Sequence, residues 1–196
     1  MNELLKGGWM LLPLAACSVV AITVIIERFV FFRRLTALQQ AETILDLVCK
    51  QRKDEAMALA EKSPSPLVRV LSAGLSNHQQ AVKAMEAAGV SELAAMRRGL
   101  PALDTIITLS PLLGLLGTII GMIDSFQIMA LSGMGQPRAV TGGVAEALIA
   151  TATGITVAVI TLIPYNYFLA RIERETEFIE YYATRLEMFV AMPEKE

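Results

Sequence analysis

The chain has 196 residues, of which 54 % are hydrophobic and only 18 % charged, and its mean hydropathy is +0.52. That is too apolar for an ordinary soluble domain, and the length leaves room for one or two domains at most. A formal net charge of −2 offers no electrostatic footprint for nucleic acid, which excludes that class of partner.

In chain order, Trp9 to Ile26 is an unbroken uncharged run, long enough to cross about 30 Å of hydrocarbon as a helix. It is followed by Glu27, Arg28, Arg33 and Arg34 instead of a small-residue cleavage site, so it reads as a span and not as a signal peptide. A polar region follows, with helices separated by Pro64, Pro66, Gly74 and Gly89. Leu35–Lys50 is amphipathic, with Leu38, Ala41, Leu45 and Val48 at helical spacing. Asp54–Lys62 forms a short helix that Ser63-Pro64-Ser65-Pro66 ends. Ala81–Leu100 carries Val82, Met85, Ala88 and Leu93 and runs through Arg97 and Arg98 into a second span. That span lies between Asp104 and Asp124, which read as interfacial caps or stops. Gly142-Gly143 precede the third helix, whose span covers Val144 to Phe168 and ends in a belt of Tyr165, Tyr167, Phe168 and Arg171. Ile172–Met192 then mixes acids with Phe178, Tyr181, Leu186 and Phe189, so spans two and three continue as helical stalks. Cys17 and Cys49 build no framework, and His78 in an Asn-His-Gln-Gln turn reads as a solvated loop residue, so no metal site is expected.

Of the 17 Lys and Arg residues, the N-terminal tail and the link between spans two and three hold only Lys6 and Arg138. This asymmetry predicts the N-terminus outside and the C-terminus in the cytoplasm. The predicted fold is therefore an all-α polytopic membrane protein with three transmembrane helices. Its expected segments are a periplasmic tail and first span over 1–32, a cytoplasmic helical region over 33–100 and a second span over 101–131. A periplasmic loop over 132–143, a third span over 144–170 and a cytoplasmic C-terminal helix over 171–196 complete it.

Glu146 is the only charged residue between Ala139 and Ala170. An ionised carboxylate in hydrocarbon costs about 2.5–3.5 kcal/mol on insertion scales, so a buried acid there reads as a titratable proton site. The other reading places it near the outer end of its helix, where it reaches water. Thr153 falls about 20° from Glu146 on an ideal helix and Thr151 about 140° away. Pro164 is expected to loosen the inner end of this helix. In span two, Pro111, Gly114, Thr118, Gly121 and Ser125 share one face within about 80°. Gly114, Gly117, Gly121 and, in span three, Gly154 read as helix-packing positions. Thr118 has two readings: its hydroxyl back-bonds to its own helix, or it holds water and passes a proton.

Ser110-Pro-Leu-Leu-Gly-Leu-Leu-Gly-Thr-Ile-Ile-Gly-Met122, Val144-Ala-Glu-Ala-Leu-Ile-Ala-Thr-Ala-Thr-Gly154 and Pro164-Tyr-Asn166 resemble the MotA/TolQ/ExbB proton-channel family, most closely its ExbB and TolQ branch. Gly8-Trp-Met-Leu-Leu-Pro13 and Ile26-Glu-Arg-Phe29 fit as well, so the resemblance covers almost the whole chain. It implies a bacterial inner-membrane homopentamer around single-span partners of the ExbD/TolR type. Proton flow would drive motion that energises outer-membrane processes, with a TonB-like protein as a further partner. By motif position it makes Glu146, Thr118 and Thr151 pore residues, with an aspartate supplied by the partner, while the helical wheel favours Thr153. It implies protons as the transported ion and no cofactor. The tail of about eight residues lacks the extracytoplasmic extension of some ExbB proteins.

No nucleophile–base pair, phosphate loop, H-E-x-x-H or paired-carboxylate pattern is visible, so no enzyme is expected. Two further readings stay open: a TolQ-like subunit of a Tol-Pal envelope-maintenance system, and a passive scaffold whose glycine faces merely assemble a ring.

Overall fold

A computed structural model describes residues 10–33, 38–132 and 137–190. These residues are helical throughout their regular structure: α1 (Leu11–Arg33), α2 (Leu38–Cys49), α3 (Lys53–Glu61), α4 (Pro66–Ser76), α5 (Ala81–Arg97), α6 (Leu100–Ser132) and α7 (Pro137–Val190), with a 3-10 turn at His78–Gln80. As expected, the fold is all-α, and α1, α6 and α7 each contain a stretch long and apolar enough to cross a membrane. The tail bearing Lys6, residues 34–37, the link residues 133–136 and the end from residue 191 lie outside the described residues.

Three local expectations are corrected. The helix from Ala81 does not run on into the second span, because α5 ends at Arg97. Arg98 is extended at ψ 133° and Gly99 takes φ +82°, a left-handed conformation that glycine adopts without steric penalty. Gly74 and Gly89 do not separate helices but lie inside α4 and α5. Gly142-Gly143 do not precede α7 but sit within it, since the helix begins at Pro137, where a fixed φ suits the first turn.

The chain divides into two compact units. One holds the described part of α1 up to Glu27 together with residues 99–167. In it α6 and α7 run antiparallel at very close range. A Cβ at Gly121 would stand 2.9 Å from the Ala147 Cβ, one at Gly117 2.8 Å from the Ala150 Cβ, and one at Gly114 2.9 Å from the Thr151 Cα. One at Gly154 would collide with the Ser110 carbonyl oxygen. The backbones touch because nothing larger than glycine or alanine separates them, and dispersion across that contact grows as the distance shrinks. Large apolar side chains such as Leu112, Leu116, Ile119, Ile155 and Ile163 point outward instead, as a surface facing lipid or other apolar partners requires.

The other unit comprises residues 28–98 with α7 from Phe168. Its centre is α4, which buries Leu67, Val68, Val70, Leu71 and Leu75 along one broad face and leaves Arg69 and Ser76 exposed on the other. α2 turns Ala41, Ile44, Leu45 and Val48 inward. On α7 the buried positions are Phe168, Ile172, Glu175, Ile179, Tyr182 and Leu186, alternating four and three residues apart. That is a continuous stripe along one helix face. Phe168 stacks on Phe32 at 5.4 Å, and the Tyr182 hydroxyl donates to Glu42 Oε1 at 3.0 Å. Inside α4, Gly74 leaves the room that Met85 and Leu186 fill.

Glu175 is the polar interruption of this stripe. Its side chain is 7 % exposed and pairs with Arg171 at 3.1 Å. Burial pushes its carboxyl above the usual range, and the Arg171 guanidinium only partly offsets this.

Two predictions follow from this packing. Gly154→Ala places a methyl against backbone that cannot yield, so it destabilises by about 1–3 kcal/mol. Gly142→Ala has open space and leaves the thermal midpoint of the detergent-solubilised protein unchanged or slightly raised. Equal midpoints for the two variants would contradict the close α6–α7 contact. For Glu175, the folded value lies above the unfolded one, so the ionised form opposes folding and stability rises as pH falls through the raised value. Glu175→Gln therefore raises the midpoint by about 2–4 °C at pH 8, with the advantage shrinking toward pH 5. A lower midpoint at pH 8 would show that the ion pair outweighs the burial.

Candidate functional site

Several hydroxyl groups of the membrane-length unit lie along α6 and α7. Most hydroxyls there bond back to their own helix, as a threonine in an apolar setting must when no other acceptor is near. Thr153 donates to the Ile149 carbonyl at 2.8 Å, Thr156 to Ala152 at 2.7 Å, Thr161 to Val157 at 2.7 Å and Ser125 to Gly121 at 2.7 Å.

Thr118 and Thr151 differ. Their hydroxyl oxygens lie 2.5 Å apart across the two helices. Both also reach the Gly114 carbonyl, Thr118 at 3.1 Å and Thr151 at 2.9 Å. Two hydroxyls carry two protons for three contacts. With the oxygens this close, one hydroxyl donates to the other, which donates to the carbonyl, and either can take either role. The absence of a Cβ at Gly114 makes the arrangement possible, because Thr151 backbone occupies that space. Thr118 thus bonds back to its own helix, as its first reading expects, and also makes a hydroxyl contact across the pair.

Glu146 sits two turns before Thr153 on α7, half-buried, beside Ala147 and Ala150, which pack on Gly121 and Gly117. Among the described residues no hydrogen bond or ion pair joins it to Thr118, Thr151 or Thr153. Tyr165 lies 19 residues on, or about 28 Å along an ideal helix axis, close to a full hydrocarbon thickness. The structure therefore brings Thr118 and Thr151 together, leaves Thr153 on its own helix, and sets Glu146 toward the opposite end from Tyr165. Gly114, Gly117, Gly121 and Gly154 all lie on the α6–α7 contact.

Sequence reasoning missed one feature of this unit: Ser110 is fully buried, and among the described residues its hydroxyl has no hydrogen-bond partner. Among the described residues no group of three or more His, Cys, Asp or Glu is placed to hold a metal ion.

Residues 62–181 match the model of the MotA/TolQ/ExbB proton channel family. The chain is 34 % identical to the ExbB-like 1 biopolymer transport protein of Synechocystis over 96 % of its own length and 78 % of the relative's. A second Synechocystis relative, ExbB-like 3, is 33 % identical over 94 % of this chain and 91 % of its own. The Tol-Pal system protein TolQ of Pseudomonas aeruginosa is 41 % identical, over 46 % of this chain and 39 % of that protein. With three membrane-length helices, a family match over most of the chain and relatives aligned along nearly all of it, this multi-pass membrane protein belongs to the MotA/TolQ/ExbB proton channel family.

Proposed function

We propose that the protein is the ring-forming subunit of a proton-motive-force-driven motor in a bacterial inner membrane. It works with a single-span partner of the ExbD type and energises outer-membrane transport through a TonB-like protein. The observation that carries the reading is Glu146, the one acid within an otherwise uncharged stretch of α7, on a helix whose Thr151 joins Thr118 of α6. The distribution of lysine and arginine supports an N-terminus in the periplasm and a C-terminus in the cytoplasm, with the bundle of residues 33–100 and the end of α7 on the cytoplasmic side. The outward apolar side chains of α6 and α7 suit a ring of copies, a pentamer as in the family, surrounding partner helices.

In this mechanism Glu146 takes a proton from the periplasmic side and passes it to water confined beside the partner. Each charge that crosses at about 100 mV supplies about 2.3 kcal/mol. Thr118 and Thr151 line the gap, and Thr153 is the alternative hydroxyl on the Glu146 side. A TolQ-like role in a Tol-Pal system is the second reading, favoured by the TolQ identity over the span motifs. The ExbB-like relatives align over about twice as much of the chain, which supports the first.

Glu146→Gln should abolish proton uptake into vesicles carrying the chain with its partner, while gel filtration shows the assembly intact. Undiminished uptake would favour the passive scaffold. Thr118→Val and Thr151→Val should each lower uptake by about fivefold, the worth of about one hydrogen bond. The double variant should lose little more, because the two hydroxyls act as one unit. Independent, multiplying losses would argue against a shared role.

A further inference from the structure

The unit of residues 28–98 with α7 from Phe168 contains a groove that the proton path does not use. It lies between α5 and α7, with Val70 of α4 in its lining, and holds about 350 Å³. The lining runs from Val82 to Leu93 on α5 and from Thr176 to Glu187 on α7, in steps of three and one on both helices. Each set therefore keeps to one face over three turns, and the groove is about 16 Å long. Val70, Met85, Leu93, Ile179 and Ala183 make it apolar, and Val90 stands 70 % exposed beside it. Glu86, Glu180 and Glu187 are the exposed acids of its lining. Among the described residues none of the three forms an ion pair.

Gly89 lines the groove in the middle of α5, where a glycine is less favourable than an alanine. At Gly74 the reason is visible, because Met85 and Leu186 take the space of a side chain. At Gly89 an added Cβ would meet nothing within 4 Å, although the residue is buried. Nothing in this chain uses that space, so the missing methyl suits a close approach from outside it. From this geometry we infer that the groove binds the cytoplasmic flank of the single-span partner as an amphipathic helix. Its apolar face lies over Gly89, and its Lys or Arg side chains meet Glu86, Glu180 and Glu187. The inference rests on the proposed function, which supplies both the partner and the cytoplasmic placement of this unit.

Charge selects this occupant. Segments on the cytoplasmic side of a span carry an excess of Lys and Arg, which complements three carboxylates with no cation of their own. Anionic lipid headgroups would be repelled by the same carboxylates. A second copy fits poorly, because copies related by a ring axis normal to the membrane meet at equal depth. Along the stretches that flank the groove, α5 offers Lys83, and α7 offers Arg185, which pairs with Glu42 at 3.8 Å. Those same stretches carry Glu86, Glu92, Glu177, Glu180 and Glu187, so a neighbouring copy would bring more acid than base.

The test uses the full chain, co-expressed with its single-span partner and carrying the photo-crosslinker p-benzoylphenylalanine in place of Val90. Irradiation of membranes should join the chain to the partner, with the crosslinked peptide on the cytoplasmic side of the partner's span. Changing Glu86, Glu180 and Glu187 together to Gln should lower the adduct by about fivefold or more, while the thermal midpoint of the chain stays within about 2 °C. Gly89→Leu, which fills the groove, should lower it as well. If Gly89→Leu does not fold, the triple Gln variant decides, since its three positions are exposed. An adduct between two copies, an adduct elsewhere on the partner, or one that the triple variant leaves unchanged would overturn the inference. So would no adduct, where the partner co-purifies and proton uptake still requires Glu146, and the proposed function would then stand. Failure of any single-span partner to co-purify would remove both.

Discussion

The close approach of α6 and α7 governs the rest of the membrane-length unit. Along this contact the added carbon of an alanine at Gly114, Gly117, Gly121 or Gly154 would press on backbone or on an alanine methyl. Water is not there to be expelled, so apolar burial contributes little to holding such helices together. Dispersion at short range and a few cross-helix hydrogen bonds do that work, and both fade rapidly as helices separate. Small residues are therefore a requirement of the geometry. The same spacing lets one carbonyl, Gly114, serve hydroxyls from both helices.

Polar groups in this setting follow a simple economy of donors. A threonine surrounded by hydrocarbon satisfies itself on the carbonyl four residues back, and Thr153, Thr156 and Thr161 do so. Such a hydroxyl has little left to offer another molecule. Thr118 and Thr151 share protons across the helix pair and can exchange donor and acceptor roles, which a back-bonded threonine cannot do as readily. Glu146 has no such neighbour among the described residues, so its polar partners in the proposed mechanism come from water and from the single-span protein.

The remaining unit is held by different physics. α4 turns a broad apolar face inward, and α7 presents a stripe in which Phe168, Ile172, Ile179, Tyr182 and Leu186 meet the bundle. Glu175 breaks that stripe, and its neutral form is favoured by burial while Arg171 pulls the other way. A carboxyl at a packed position weakens the bundle it sits in when ionised.

Much of this protein could be read from residue order alone. Three spans, the all-α class and the amphipathic helices follow from hydrophobic runs and periodicity, because a chain in lipid must satisfy its backbone within each helix. Glu146 stands out for the same reason, as a charge where charge is expensive. Helix boundaries near Gly74, Gly89, Gly99 and Gly142-Gly143 could not be read that way, since glycine breaks a helix or permits close packing according to what lies beside it. The wheel ranked Thr153 above Thr151, yet the contact between Thr151 and Thr118 depends on α6 lying within reach, which no angle on one helix reports. The burial of Glu175 was likewise decided by tertiary structure. Periodicity says which residues share a face, and only the packed neighbour determines what that face meets.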